Sequence, residues 1–160
     1  MRSEYTELIN DTMRELESIR SWINEGKNKF DSKTRYLISY SVIRASGSVE
    51  VIYKGTIFDY LTEDAKNQTK VYLEKNILDS SSNPSTGNMS NMLQNISSDW
   101  KQEFDIQTKN SGCKDKLNSL VQLRNDFAHG DNITASIDTV IMYFNSAIEI
   151  LKILELTMQQ

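Results

Sequence analysis

A chain of 160 residues with 38% hydrophobic and 25% charged residues is long enough for one domain with an ordinary core, which excludes the disordered class. The net charge of −4 and pI near 5.1 exclude the overall basic field usual in RNA-binding proteins, so any phosphate site must be local. A single cysteine excludes an internal disulfide, and without a signal peptide or long apolar run we expect a cytoplasmic protein with no membrane contact.

Two long helices open the predicted fold. Apolar residues at three- and four-residue spacing predict a first helix over about 4–25, which Gly26 ends. A second helix is expected to begin near Asp31 or Ser32, both good caps, and to continue to about residue 61. Because it carries two apolar stripes and only a narrow polar strip, we expect it to be the central helix, covered on both sides.

Three rows of residues define the faces of this central helix. The first apolar stripe contains Tyr36, Tyr40, Ile43, Ile57, Phe58 and Leu61. The second apolar stripe contains Ile38, Val42, Ala45, Val49, Ile52 and Tyr53. The polar strip contains Ser41, Arg44, Ser48, Gly55 and Asp59.

Glu50 and Lys54 fall on the first apolar stripe, where a buried carboxylate needs a partner. The simpler interpretation is that Glu50 meets Lys54 one helical turn further on. The alternative is that Glu50 pairs with Arg124, described below, and holds its guanidinium in place.

Two more helices and two loops precede the last third of the chain. The apolar spacing predicts a shorter helix over 63–77 and a fourth helix over 89–104. A run of turn formers over 79–88 is expected to be a surface loop. Residues 105–112 are also expected to be loop.

The stretch 117–130 contains the only histidine of the chain. Its apolar residues recur at helical spacing and predict one buried face, formed by Leu117, Leu120, Val121, Phe127 and Ala128. Arg124 lies in that face, and because a guanidinium stays charged it needs a carboxylate, a phosphate or a water-filled cleft. Gly130 is the residue type that ends helices, which places His129 on the last turn.

The last helix is expected to open at Thr134 or Ser136 and to run to near Met158. The predicted elements together form an all-α helical bundle of five or six helices. No composition shift or repeat divides the chain, so we expect a single domain over 1–160.

The heptapeptide RNDFAHG, residues 124–130, resembles the signature of the HEPN superfamily, in which an Arg is usually followed by a polar residue and a His comes a few positions later. The resemblance continues through the long helix with Arg44 and Glu50, the Gly87-Asn88-Met89 entry to a later helix and the closing amphipathic helix. It covers roughly 34–155 and is strongest to the RiboL-PSP-HEPN group.

This resemblance implies a HEPN-like fold and a ribonuclease activity, since the group is linked mainly to ribonucleases of prokaryotic conflict systems. The chain would then be a toxin or an antiphage defence effector that acts on RNA. A neutralising antitoxin or an associated defence protein would be a possible partner.

The chemistry expected of such a site is metal-independent cleavage, in which the ribose 2′-hydroxyl attacks the adjacent phosphorus. Arg124 would bind the phosphate, His129 would act as general base or acid, and Asn125, four residues before it, would position the ring or the phosphate. No Cys and His residues have metal-binding spacing, and no carboxylates cluster at such spacing, so we expect no metal and no cofactor.

Two other classes of function remain open. One is a HEPN-like module that binds RNA or nucleotides, or tethers partners, without cleaving RNA, and the acidic pI favours it. The nearest thing to a basic cluster beside the motif consists of Lys109, Lys114 and Lys116. A plain helical scaffold or antitoxin-like subunit would use the same residues structurally. In that case His129 is a helix cap, Arg124 an ion-pair partner and Asn125 a solvated residue.

The last expectation is a homodimer with a shared site. On a straight helix Arg124 and His129 differ by about 140° in direction and roughly 7.5 Å in rise. Either the helix breaks before His129 or the site is completed from elsewhere.

The resemblance implies that the site is completed from elsewhere, since HEPN nucleases typically bring two motifs together in a cleft between subunits. The extra apolar stripe of the central helix suits such an interface. The alternative is a monomer whose own helices cover that stripe.

Overall fold

The computed structural model describes residues 1–159, and every element of regular secondary structure in that range is a helix. The helices are α1 (Ser3–Asn24), α2 (Lys33–Thr62), α3 (Asn67–Leu73), α4 (Thr86–Gln94), α5 (Ser98–Ser111), α6 (Lys114–Ala128) and α7 (Ile137–Met158). A 3₁₀ turn, Asn28–Phe30, connects α1 to α2, and a π-helical turn, Glu74–Leu78, continues α3. The predicted all-α bundle with a long central helix is confirmed.

The core lies between α2 and α7. α7 packs against α1, α2, α5 and α6, while α2 also packs against α1, α6 and the π-helical turn after α3. Both helices contribute fully buried side chains, among them Val42, Val49, Ile52, Ile57, Val140, Phe144, Ile150 and Leu154. Full burial of each such side chain contributes about 1.5–3 kcal/mol relative to exposure. No helix within residues 1–159 is both long and apolar enough to span a membrane.

The polar strip of α2 faces α1. Ser41, Ser48 and Gly55 recur every seven residues, about two helical turns, and all three are buried. Their small side chains let α1 approach closely, and the Ser48 hydroxyl lies 2.7 Å from the Thr12 hydroxyl. The strip is therefore a helix contact in which Ser48 and Arg44 find partners on α1, while Ser41 donates to the Leu37 carbonyl of α2 itself.

Part of the first apolar stripe of α2 lies in solvent instead. Tyr36, Tyr40 and Ile43 are 63%, 48% and 46% exposed. The expectation that α2 is covered on both sides is thus wrong for its N-terminal half, because α1 occupies the polar strip and no other described element covers these three residues. The lower part of the stripe is covered, and Ile57 is fully buried.

The number of helices is larger than predicted because the predicted helix over 89–104 is two helices. Ser97 interrupts it: its backbone is extended and its side chain accepts a hydrogen bond from the backbone three residues on, which caps α5. The predicted loop over 105–112 is wrong, since α5 continues through the buried Thr108. Gly112 ends α5 in the left-handed conformation, at φ 66°.

Two ion pairs fix the relative direction of the first and last helices. The Met1 amino group pairs with Glu155 near the end of α7. Arg20, one turn before the end of α1, lies 2.7 Å from Asp138 in the first turn of α7. α1 and α7 are therefore antiparallel, and the α1–α2 connection lies at the same end of the bundle as the α6–α7 connection. We call this the motif end.

Candidate active site at the end of helix α6

α6 is anchored by its first half and projects at its last turn. Leu117, Leu120 and Val121 are buried, as predicted. Phe127 is 38% exposed and Ala128 is exposed, so the prediction that both belong to the buried face is wrong. The last turn of α6 is only partly covered by the other helices, and the motif lies at the surface.

Paired backbone hydrogen bonds end α6 at the motif. The Gly130 N–H donates to the Phe127 carbonyl at 3.0 Å. The Asp131 N–H donates to the Asp126 carbonyl at 2.9 Å. This pair of bonds is the Schellman cap, which requires a positive φ at the residue after the cap; Gly130 has a φ of 92°. The glycine therefore fixes the backbone immediately after His129.

Arg124 has no acidic partner among residues 1–159. Its side chain is half-buried, and its only described hydrogen bond runs from Nη1 to Oδ1 of the neighbouring Asn125 at 3.4 Å. A bond of that length is weak, and it engages only one of five guanidinium donors. Of the three partners expected for this group, residues 1–159 supply no carboxylate, which leaves a phosphate or water.

Glu50 contacts Lys54 rather than Arg124. Glu50 Oε1 lies 2.7 Å from Lys54 Nζ, and no ion pair joins Glu50 to Arg124 within the described chain. Lys54 is only 5% exposed and also donates to the Ser80 carbonyl at 2.5 Å. The structure therefore supports the simpler interpretation, in which Glu50 pairs with Lys54, and the alternative contact with Arg124 is absent.

The loop before α4 is held on α2 and α6 by contacts that the sequence did not reveal. Besides Lys54, Tyr53 lies 2.6 Å from the Ser82 hydroxyl, and burial raises the pKa of this tyrosine. Asn118 of α6 accepts a hydrogen bond from the Thr86 N–H at 3.0 Å and so caps α4. These partners are 29 and 32 residues apart in the chain, and no local pattern connects them.

His129 is exposed and directly follows an unbroken helix. Its N–H donates to the Asn125 carbonyl at 3.1 Å, the spacing of a regular helical bond. The possibility that the helix breaks before His129 is thereby excluded. Asn125 and His129 share one face of α6, whereas Arg124 points about 140° away from His129. Within residues 1–159 no three His, Cys, Asp or Glu side chains are grouped to hold a metal ion.

The expected basic cluster lies elsewhere. Lys109, Lys114 and Lys116 are exposed around the junction of α5 and α6, at the opposite end of α6 from His129. His129 is 13 positions after Lys116, which corresponds to about 20 Å of helix. These lysines are therefore not beside the motif, and that prediction is wrong.

The comparison with protein families agrees with the motif. The profile of the RiboL-PSP-HEPN family matches residues 7–160, which is nearly the whole chain. Beyond this family, the chain has no significant match among curated proteins or among solved structures. The chain therefore belongs to the RiboL-PSP-HEPN family, and this membership supports a function as a HEPN-like ribonuclease or RNA-interaction module.

Proposed function

We propose that this chain is a metal-independent endoribonuclease that acts as a toxin or antiphage defence effector, with Arg124 and His129 in one composite site. The observation that carries the proposal is that Arg124 lacks an acidic partner within the described chain. Arg124 is a half-buried residue without a carboxylate partner in residues 1–159, and it lies little more than one turn from the exposed His129. A structural arginine in such a position would normally be paired.

The reaction needs only groups that these side chains supply. The ribose 2′-oxygen attacks the adjacent phosphorus and loses its proton, and the bond to the 5′-oxygen of the next nucleotide breaks. The products are a 2′,3′-cyclic phosphate and a 5′-hydroxyl, which takes up a proton. Arg124 binds the phosphate and offsets the charge that develops on it, while His129 accepts or returns the proton. Asn125 lies on the face of His129 and positions the ring or the phosphate.

The proposed active unit is a homodimer in which two motifs face each other. The support is geometric, because Arg124 and His129 of one chain diverge while Phe127 leaves apolar surface on the same turn. Around α6, Phe127 lies about 60° to one side of Arg124 and Ala128 about 40° to the other, so an interface that covers both would enclose the guanidinium. His129 lies about 160° from Phe127 around α6, so the proposal requires the two motif ends to meet close to the twofold axis, where the exposed His129 of a second copy can complete the site.

The test is cleavage of total RNA by the purified protein in excess chelator, with detection of cyclic-phosphate ends. We expect Arg124→Ala and His129→Ala each to lower the rate about 100-fold or more. Arg124→Lys should restore little, since an ammonium cannot grip a phosphate in bidentate fashion. Arg14→Ala is the control, because it removes the same charge from an exposed arginine of α1.

Two results would contradict this proposal. Activity that disappears in chelator and returns with magnesium or manganese would remove the metal-independent mechanism. Cleavage that persists unchanged in both Arg124→Ala and His129→Ala would remove the site.

A non-catalytic module that binds RNA or nucleotides is the second candidate. The net charge of −4 and the divergence of Arg124 from His129 within one chain favour it. It predicts RNA binding that depends on Arg124 without any cleavage under the same conditions. A neutralising antitoxin or associated defence protein also belongs to the proposal, and growth rescue by co-expressed products of neighbouring genes tests it.

A further inference from the structure

The α1–α2 connection and the first turn of α2 concentrate exposed cations and aromatic rings. We call this the 27–36 surface; it consists of Lys27, Lys29, Phe30, Lys33, Arg35 and Tyr36. All six residues are exposed, and the two rings are among the most exposed large hydrophobic side chains, at 79% for Phe30 and 63% for Tyr36. A single exposed ring needs no explanation, but rings grouped with cations on one surface are typical of a binding site.

The charge of this surface is opposite to that of the whole chain. It contains four of the 18 basic residues, and Asp31 is the only acidic residue between positions 27 and 36, whereas the chain has a net charge of −4. The cations lie against the rings: Lys29 Nζ is 5.0 Å from the ring centroid of Phe30, and the Arg35 guanidinium carbon is 5.2 Å from that of Tyr36.

The arginine of this surface differs from most arginines of the chain because it forms no ion pair with a described carboxylate. Each of four arginines forms an ion pair with a carboxylate: Arg2, Arg14, Arg20 and Arg44. Arg35 and Arg124 form none within residues 1–159, and the same holds for the three lysines of the 27–36 surface. Within residues 1–159, arginines without a carboxylate partner thus occur in two places, the 27–36 surface and the motif.

These two places lie at the same end of the bundle. The Arg20–Asp138 pair joins the last turns of α1 to the first turn of α7. The 27–36 surface follows α1 directly, and the motif precedes α7 through the connection 129–136. Lys109 and Lys116, by contrast, flank the start of α6, at its other end.

We propose that the 27–36 surface binds single-stranded RNA and delivers it to the motif; this inference rests on the proposed function. The four cations contact phosphates, and the rings of Phe30 and Tyr36 stack on unpaired bases, which is how single strands are bound without a sequence requirement. Bases within a duplex offer no such faces. A membrane is the less suitable ligand, because charges alternate with the rings here and no continuous apolar face is available for insertion.

The first experiment measures binding of a fluorescent 12-nucleotide RNA whose 2′-hydroxyls are methylated. This ligand cannot be cleaved by 2′-hydroxyl attack, so wild-type protein can be used. We expect Lys29→Glu combined with Lys33→Glu to raise the Kd at least tenfold. The slope of log Kd against the logarithm of the salt concentration should fall by about 1.4. Lys109→Glu combined with Lys116→Glu makes the same charge change at the other end of α6 and should change the Kd less than twofold.

The second experiment removes the rings. Phe30→Ala combined with Tyr36→Ala should weaken binding at least fivefold, since stacking contributes about 1–3 kcal/mol per base. Tyr72→Ala is the matched control, because Tyr72 is 66% exposed on α3 outside this surface. All of these side chains are exposed, so the fold should tolerate their replacement, which thermal unfolding verifies.

Several results would overturn the inference: no RNA binding by the wild type, equal loss in the two lysine pairs, or binding to phosphatidylserine vesicles in preference to RNA. Its failure can be told apart from that of the proposed function. If unmodified RNA stays intact but binding depends on the 27–36 surface, the inference holds and the cleavage proposal fails. If cleavage depends on Arg124 while the 27–36 variants bind and cleave like wild type, the inference fails alone.

Discussion

Lys54 lies 2.7 Å from the Glu50 carboxylate and 2.5 Å from the Ser80 carbonyl oxygen, and so joins the middle of α2 to the loop before α4. The ammonium is almost fully buried, and these two bonds offset its desolvation. The neighbouring Tyr53 bonds to Ser82 in the same loop. Two successive residues of the central helix therefore hold this loop in place.

Replacement of Lys54 by Met should lower the free energy of unfolding by about 1–3 kcal/mol, because the Ser80 carbonyl loses its charged donor. Urea denaturation measures this difference. Glu50→Gln should cost less, since Lys54 keeps its bond to Ser80. The control is Lys101→Met, which breaks an i,i+4 pair with Asp105 in a more exposed setting and should cost less than about 0.5 kcal/mol. A Lys54→Met protein as stable as wild type would show that the ammonium does not hold the loop.

Two glycines of α2 should respond to alanine in opposite directions. A Cβ added at Gly55 would lie 2.8 Å from Tyr5 Cζ and closer still to its hydroxyl, which donates to Asp59. Gly55→Ala must displace Tyr5 and should cost about 1–3 kcal/mol. A Cβ at Gly47 meets nothing within 4 Å, so Gly47→Ala should stabilise the protein by about 0.5–1 kcal/mol. Destabilisation by both substitutions in urea would contradict this account.

The contact of α1 with α2 should weaken in acid through Glu15. Its carboxylate accepts hydrogen bonds from Arg44 and Tyr40, which lower the pKa of Glu15 below the ordinary glutamate value of 4.5. The stabilisation is therefore complete above that pH and is lost as the pH falls through the folded-state pKa. The difference in unfolding free energy between wild type and Glu15→Gln should be largest near pH 7 and shrink below pH 4.5. A difference independent of pH would show that the charge of Glu15 does not contribute.

The sequence predicted those parts of the fold that local patterns determine. α1, α2 and α7 begin and end close to the expected residues, because their apolar periods and terminal caps are local signals; Ser136 does cap α7 through its side chain. The break at Ser97 was missed because the apolar period continues on both sides of it.

The position of each helix face relative to its neighbours could not be read from the sequence. Periodicity shows that Ser41, Ser48 and Gly55 share a face, but it does not show that α1 packs there and leaves Tyr36 and Ile43 exposed. The same limit applies at the site. The motif identified Arg124, Asn125 and His129 as candidates, and the four-residue spacing offered Lys54 as the partner of Glu50. The bond from Lys54 to the Ser80 carbonyl joins residues 26 positions apart, and no local pattern connects them.

The proposed shared site makes a prediction about assembly that can be tested apart from catalysis. If Phe127 lies in a twofold interface near its axis, Phe127→Asp places two carboxylates close together and should convert a dimer into a monomer in light scattering. Leu156→Asp is the control, since Leu156 is 58% exposed near the end of α7, far from the motif end, and the same substitution there should leave the assembly unchanged. Activity should fall together with dimer content.

Mixing inactive Arg124→Ala protein with inactive His129→Ala protein tests whether the site is shared. A mixed dimer contains one site in which both Arg124 and His129 are intact. At random exchange half of the dimers are mixed and each has one of its two sites intact, so the mixture should recover up to about a quarter of the wild-type rate. A wild-type protein that is fully active as a monomer at nanomolar concentration would remove the shared site altogether.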